Sequence, residues 1–358
     1  MTSAERLWIT VLGSLAVHAL VGLGMVSGTY VAALGDLTER LALRGIHARS
    51  PESRARFRAK HGAALPESCR DYASVDEIAA DPLVEFVMLA TPPNGREEIV
   101  RRLAAAGKHI LMEKPVERTL EAAERLCGIC EAAGVTLGIV FQHRMRPAAQ
   151  ELARIVAGGR LGTLRTVEVA VPWWRPQSYY DEPGRGTYAR DGGGVMISQA
   201  IHTFDLVLSL TGPVAEVTAL TGTSGFHRME SEDFVASGWR FEGGALGTFF
   251  ATTASFPGHA DTIRLNCAMG SALLQGNRLT IDWQDGRREE FGAEAATGGG
   301  ADPMAFTHDW HRAVIADFAD ALEEGRPPLV PGREALRVHA LIAALERSGR
   351  EGRRVALA

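Results

Sequence analysis

Cysteine is scarce in this chain: Cys69, Cys127, Cys130 and Cys267 are four among 358 residues. They are too few and too scattered for a disulfide framework. Cys127 and Cys130 form a C-x-x-C, but no second pair matches it. It lies inside a helix-like stretch rather than at a helix start after a strand, so neither zinc nor redox use is expected. Charge of one sign is lacking too. A formal net charge of -5 gives no reason to expect nucleic acid or an anionic membrane as partner. The apolar stretch 7–26 raises the question of a membrane span. His18 and glycines at 13, 22 and 24 interrupt it, and no small-residue cleavage site follows a basic start. Its second half reads as a buried strand with a glycine turn. The first dozen residues take no clear assignment, either a short extension or an edge strand. Internal repeats and long disordered runs are also missing. The remainder, 46% apolar and 23% charged, is the composition of a soluble globular protein with room for two domains, expected in the cytoplasm.

The first 140 or so residues alternate short apolar runs with helical patterns. Strands are expected at 15–21, 41–48, 86–90, 109–112 and 135–141. Helices are expected at 28–37, 52–61, 75–80, 97–106 and 120–133. Continuous apolar strands separated by helices argue for a parallel sheet covered on both faces. The pattern then changes. After a helix at 150–158, strands at 164–171, 214–221, 234–241, 247–253, 262–267 and 279–283 fit a largely antiparallel sheet. Helices at 196–210, 309–323 and 334–347 accompany it. The expected division is residues 1–142 and 143–358, an α/β chain throughout. The segment 293–302, with Gly298-Gly299-Gly300, reads as a loop.

Gly22-Leu23-Gly24-Met25-Val26-Ser27-Gly28 follows the first strand and opens a helix. Gly22 permits a tight turn, and Gly24 lets backbone approach a pyrophosphate seated on the helix N-terminus. The third glycine arrives one position late relative to G-x-G-x-x-G, with Ser27 in its usual place. The second strand ends Ala48-Arg49-Ser50. An acid there would bind both adenosine ribose hydroxyls and repel a 2′-phosphate; Arg49 and Ser50 would welcome it. NADP is therefore the expected cofactor, ahead of NAD. Thr91-Pro92-Pro93-Asn94, after the third strand, is either a wall for the nicotinamide ribose or only a rigid turn.

Glu113-Lys114-Pro115 closes the apolar run His109-Ile110-Leu111-Met112. Strand ends in open α/β sheets are where ligands bind. A lysine there can donate to a substrate oxygen or, with a lowered pKa, take a proton from it; the alternative is a solvated strand end. Asp191-Gly192-Gly193-Gly194 leads into a second candidate helix. Ser198 and His202 lie at i and i+4 on one face, and Asp205, at i+3 from His202, could orient the imidazole. A single helical histidine is more often structural, but paired with Lys114 it becomes a general acid/base candidate.

These three motifs together resemble the glucose-fructose oxidoreductase / inositol dehydrogenase / MocA (Gfo/Idh/MocA) family. Gly158-Gly159-Arg160-Leu161-Gly162 and the closing Asp317-Phe318…Gly325-Arg326-Pro327-Pro328 extend the resemblance over nearly the whole chain. It implies an N-terminal Rossmann domain and a C-terminal α/β domain with an open sheet. It implies NAD(P)-dependent oxidation of sugars, polyols and related ring alcohols, with Lys114 and His202 as the catalytic pair. It also implies dimers or tetramers through the C-terminal sheet. Two departures stand out. Many members carry Asp four residues before the catalytic histidine, where this chain has Ser198, and many carry His in the first helix, where it has Tyr30. The segment Trp173-Trp174-Arg175…Tyr179-Tyr180, with Gly184-Arg185-Gly186-Thr187, is similar to the substrate loop of branches acting on nucleotide-sugar uronates and carboxylated cis-dihydrodiols. Trp174 and Tyr180 offer stacking faces; Arg175 and Arg185 suit a carboxylate, and Arg144, Arg146 and Arg190 extend an anion site.

The expected activity is hydride exchange between a nicotinamide and a secondary alcohol of an anionic, carboxylated sugar-like or dihydrodiol substrate. Lys114 polarises or deprotonates the hydroxyl, His202 relays the proton, Asp205 orients His202, and Glu113 tunes Lys114. Gly22, Leu23, Gly24, Met25, Val26, Arg49, Ser50, Thr91, Pro92 and Asn94 are the expected cofactor contacts, with Glu113 and Lys114. Arg144, Trp174, Arg175, Tyr180, Arg185 and Ser198 are the expected substrate contacts, with His202. No metal is expected: His308 and His311 stand at i and i+3, and no third ligand with suitable spacing accompanies them. The rivals are an NADPH-dependent keto-sugar reductase and a non-catalytic dinucleotide sensor on the same fold.

Overall fold

A computed structural model describes residues 16–357. Residue 15 of the first expected strand and the N-terminal extension lie outside the described residues. Six parallel strands form the first sheet: β1 (Ala16–Val21), β2 (Leu41–His47), β3 (Arg70–Asp71), β4 (Phe86–Leu89), β5 (His109–Glu113) and β6 (Leu137–Val140). Their spatial order is β3-β2-β1-β4-β5-β6, so the chain reverses direction across the sheet between β1 and β4. Such switch points open a crevice at the carboxyl ends of the strands. All four residues of β4 and of β6 are buried, as strands covered on both faces must be. Ser50, Ser74 and Thr119 each cap a helix by accepting from the backbone N–H three residues on.

The second sheet has nine strands: β7 (Leu164–Pro172), β8 (Val214–Gly222), β9 (Phe234–Phe241), β10 (Leu246–Thr252), β11 (Thr262–Cys267), β12 (Gly270–Gln275), β13 (Arg278–Trp283), β14 (Arg288–Gly292) and β15 (Val355–Ala356). All its pairs are antiparallel except β7 with β10. The strands β12, β14, β3 and β15 were not expected from the pattern. β14 is an edge strand that opens on the charged run Arg288-Glu289-Glu290, and β3 and β15 have two residues each, too short to carry a period. One face of the sheet is sealed by the helix Ile201–Thr211, whose Phe204 stacks on Phe249 at 4.3 Å between ring centroids and lies 5.9 Å from Trp239. The expected helix at 196–210 is two pieces: a π-turn, Met196–Ala200, runs into that α-helix. Single π-turns of this kind are frequent at functional sites.

The chain returns to the first sheet near its end. The helix Asp309–Glu324 buries Val314, Ile315, Phe318 and Ala319 in one core with Leu20, Tyr30, Phe86 and Met88. Phe318 meets Phe86 edge-on at 5.4 Å. Gly138 makes room for it, because a Cβ there would lie 2.7 Å from the Phe318 ring. The long helix Gly332–Glu351 packs against the helix Leu120–Ala132 on one side and β8 on the other. Residues beyond 143 thus complete the first layer as well as building the second.

Candidate active site

The glycine turn sits at the switch point. Gly22 has φ 98°, and a Cβ on it would lie 2.6 Å from the carbonyl carbon of Ala90, at the end of β4. The ends of β1 and β4 can approach this closely only because residue 22 is glycine. Gly24 is different: a Cβ there meets nothing within 4 Å, so the turn leaves open space where a phosphate would lie. Gly28 faces the next helix, and its Cβ would lie 3.2 Å from the His61 ring. The glycine one position late thus lets two helices approach, a different task from the close helix–strand packing of the usual third fingerprint glycine. The turn therefore fits a dinucleotide, with the helix Ser27–Gly35 starting behind it.

Gly24, Met25 and Val26 open onto a cavity of about 360 Å³ between the two sheets, together with Thr91, Pro92, Pro93, Glu113, Lys114, Ser198 and His202. Asn94 is exposed and does not line it. Arg49 is exposed at the end of β2. Ser50 caps the following helix: its hydroxyl accepts from Ser53 N at 3.1 Å and donates to Ser53 Oγ at 3.0 Å.

Lys114 directly follows β5 and is joined to Pro115 by a cis peptide bond. Its Nζ donates to the Ser198 carbonyl oxygen at 2.7 Å, across the two domains. Burial pulls its pKa down to about 8, against the attraction of Glu113 and with the help of Arg96. Glu113 is buried and fully engaged. It accepts from Tyr30 Oη at 3.1 Å and from the Lys114 backbone at 3.1 Å, and its Oε1 lies 3.5 Å from His311 Nε2. Tyr30, the departure noted in the first helix, thus belongs to the support of the lysine. Beneath them the buried Arg96 donates to the carbonyls of Thr91, Glu113 and Pro115, clamping the ends of β4 and β5 together.

His202 is buried, and burial together with Lys114 holds its pKa well below the ordinary histidine value. Its ring stacks on His143 at 4.7 Å and meets Phe141 edge-on at 6.0 Å. The expected orienting role of Asp205 is not what the structure places there. Both Asp205 oxygens accept from Arg144 at 2.7 Å, and Arg144 also pairs with Glu334 at 2.7 Å. One helical turn displaces the carboxylate toward Arg144, a better bidentate partner than an imidazole. The same pairing takes Arg144 away from the cavity, which it does not line. Arg146 is likewise spent, on Asp261 at 2.9 Å.

The aromatic loop is offset by one residue from expectation. Trp173 and Tyr179 line the cavity. Trp174 instead packs among Phe226, His227 and Phe256, and Tyr180 is buried with its hydroxyl 2.7 Å from Thr253 Oγ1. Neighbours in an extended segment point to opposite sides, which turns Trp173 inward and Trp174 out; Tyr179 and Tyr180 lie in the single helical turn Gln177–Tyr180, where consecutive residues sit about 100° apart. Arg175 lines the cavity, but its guanidinium holds the carbonyls of Gly298 at 2.7 Å and Gly300 at 2.5 Å. Arg185 stacks over the Tyr179 ring at 4.4 Å and pairs with Glu182, as does Arg190 at 2.7 Å.

Gln142, His143, Gln199, Trp310 and His311 also line the cavity and were not among the expected contacts. Eight lining residues carry a buried polar atom with no partner among the described residues: Thr91, Gln142, His143, Trp173, Arg175 (its Nε), Gln199, His202 and His311. Such a concentration of unmet hydrogen-bonding groups is what a polar ligand site requires. His308 and His311 do not converge: His308 meets Asp36 at 2.9 Å on the surface, and His311 turns inward to Glu113. Burial pushes the Cys127 and Cys130 thiols up to about 11 and about 12, which leaves them unreactive.

A family model described as an oxidoreductase family with an NAD-binding Rossmann fold matches residues 17–141, and the GFO/IDH/MocA C-terminal domain model matches residues 149–273. The chain belongs to the Gfo/Idh/MocA family. D-apiose dehydrogenase of Paraburkholderia graminis is 27% identical over 95% of this chain and 89% of its own length. The WlbA dehydrogenase of Bordetella pertussis, solved in complex with NADH and UDP-GlcNAcA, is 29% identical with a TM-score of 0.82, over 96% of this chain and 98% of that one. Elsewhere the match is shorter: the chain spans 44% of a Schizosaccharomyces pombe oxidoreductase that is 32% identical. As a Gfo/Idh/MocA protein this is an oxidoreductase with a nicotinamide-dinucleotide fold. No described helix is long and apolar enough to cross a membrane.

Proposed function

We propose that this protein oxidises a secondary alcohol of a carboxylated, sugar-like substrate, with NADP as cofactor and Lys114 and His202 as its proton-handling groups. The observation that carries this reading is Lys114, an amine of pKa about 8 facing the same cavity as His202 and the glycine turn. A general base serves best with a pKa near the working pH. The bound nicotinamide supplies the hydride acceptor at its C4. Lys114 takes the hydroxyl proton while its hydrogen bond to Ser198 O holds the amine in place. His202, kept neutral by burial, receives or returns that proton. Gly24, Met25 and Val26 hold the pyrophosphate, and Thr91 to Pro93 wall the ribose.

Three observations support the finer assignments. Arg49 is exposed at the end of β2 where no acid stands, which favours a 2′-phosphate. The WlbA relative holds NADH, so the preference rests on this chain's own Arg49. That relative also holds UDP-GlcNAcA, a nucleotide-linked sugar acid, and this chain sets Arg185 and Arg190 on the cavity with one shared partner, Glu182. A substrate carboxylate would replace Glu182 there. Leu220 on β8 and Leu246 on β10 are exposed, and this sheet face is where a second copy would pack to form a dimer or tetramer.

The test is fluorescence titration with NADP(H) and NAD(H), followed by a screen of sugar acids and carboxylated dihydrodiols with wild type, Lys114→Ala and His202→Ala. Each variant is expected to lose roughly 10²- to 10⁴-fold in turnover while keeping cofactor affinity. Wild-type-like turnover in either would overturn these roles.

A further inference from the structure

His143 follows β6 in the short turn Gln142–Met145 and is only 2% exposed. Its Nε2 lies 2.6 Å from Arg146 Nη2. A guanidinium only donates and stays protonated, so Nε2 must be the acceptor and the ring proton must sit on Nδ1. Arg146 is itself fixed. It is fully buried, bonded through Nη1 to both oxygens of Asp261 at 3.1 and 2.9 Å, and laid over the Trp310 ring at 5.0 Å. Burial, with Arg146, His202, Lys114 and His311 around it, holds the ring neutral. The Nδ1 of His143 is buried without a partner among the described residues, and the side chain lines the cavity, stacked on His202.

We propose that His143 is a substrate-binding residue whose Nδ1–H donates to an oxygen of the substrate neighbouring the carbinol that Lys114 and His202 serve. The inference rests on the oxidoreductase reading above and deepens it. The Asp261–Arg146–His143 chain locks a donor into a place where an ordinary histidine could present either a donor or an acceptor. That position selects a hydroxyl, carbonyl or carboxylate oxygen. It rejects an ammonium or amide N–H there, because a buried donor facing a donor leaves both unpaired.

Selective ¹⁵N-histidine labelling decides the tautomer without any substrate. The expected result is one neutral ring with its proton on Nδ1 that disappears from the spectrum of His143→Leu; a proton on Nε2 overturns the proposal. The second arm is kinetic, with UDP-glucuronate and D-glucuronate as probes. His143→Leu is expected to raise KM by about 10- to 100-fold, the loss of one well-made hydrogen bond. It should leave kcat within about threefold and cofactor affinity unchanged. His143→Asn, whose amide N–H falls near the Nδ1 position, should recover most of the loss. An unchanged KM in His143→Leu, or a parallel loss of cofactor affinity, overturns the assignment. If the wild-type protein oxidises neither probe, the carboxylated-substrate reading fails, and the tautomer alone then judges His143.

Discussion

Lys114 Nζ reaches across the domain boundary to the backbone carbonyl of Ser198, at 2.7 Å, and not to its hydroxyl. Position 198 is where many relatives carry an aspartate, yet the lysine here is held by an atom that every residue possesses. Ser198→Ala is therefore expected to keep turnover within about threefold of wild type, a difference too small for a lost transition-state contact. Steady-state kinetics on a substrate found by the screen would check this; a hundredfold loss would show that the hydroxyl takes part.

The lowered pKa of Lys114 has a calculable sign. In the fold the amine titrates near 8, and in the unfolded chain near 10.4. Below pH 8 both states hold the proton, and the fold carries the full cost of the ammonium. Between these values only the unfolded state holds it, so stability rises with pH. Lys114→Met should then stabilise the protein at pH 7 by roughly 1–3 kcal/mol, the lower end because the side chain is partly open to the cavity. The gain should vanish above about pH 10.5, as followed by urea unfolding. In wild type, alcohol oxidation should climb with pH and level off above the lysine pKa.

Gly24 and Gly194 separate binding from folding. A Cβ on Gly24 meets nothing, whereas one on Gly194 would lie 1.7 Å from the Glu232 carbonyl oxygen. Gly24→Val should leave the melting temperature within a degree or two and weaken dinucleotide binding by about tenfold or more. Gly194→Ala should unseat the start of the His202 helix and lower stability by several kcal/mol. Calorimetry beside cofactor titration would reveal a reversed pattern.

Asp205 is structural in this reading. Removing it leaves Arg144 with Glu334 as its remaining carboxylate, so the loss falls below the roughly 3–5 kcal/mol of a buried ion pair broken outright. Asp205→Ala should lower denaturant stability by about 1–3 kcal/mol. Its folded fraction should retain the wild-type pH profile of turnover, which an orienter of His202 would shift.

Arg49→Asp should exchange the NADP preference for NAD, since the new carboxylate repels a 2′-phosphate and accepts from the ribose hydroxyls. Equal NADP(H) affinity in mutant and wild type, by fluorescence titration, would remove Arg49 from the cofactor site.

Much of this was legible in the residues. Period and punctuation point to five of the six strands of the first sheet, because those five are largely buried runs between helices; β3, two exposed residues, carries no such signal. Glu113-Lys114-Pro115 stands out for a physical reason: a lysine just past a buried strand, beside an acid and held by a proline, is poorly explained by folding alone, and a lysine, unlike an arginine, can shed a proton near neutrality. What failed was facing. Trp173 and Tyr179, not Trp174 and Tyr180, face the cavity, and neither a short extended segment nor a four-residue helical turn has a period long enough to show which neighbour turns inward. Asp205 was assigned by helical spacing alone, which cannot see Arg144 arriving from 61 positions upstream. His311 was weighed only as a zinc ligand, because nothing local reveals that its helix crosses back to the first sheet.

That returning helix, Asp309–Glu324, sets an order of events during synthesis. Trp310 and His311 reach the cavity, and Phe318 reaches the groove beside Gly138, only after more than 300 residues have been made. A ribosome-bound chain that has released just its first sheet would still present Phe86 and Tyr30 without their cover. Closure of the cavity thus waits for the helix Asp309–Glu324, and a nascent chain has to be shielded until that helix emerges.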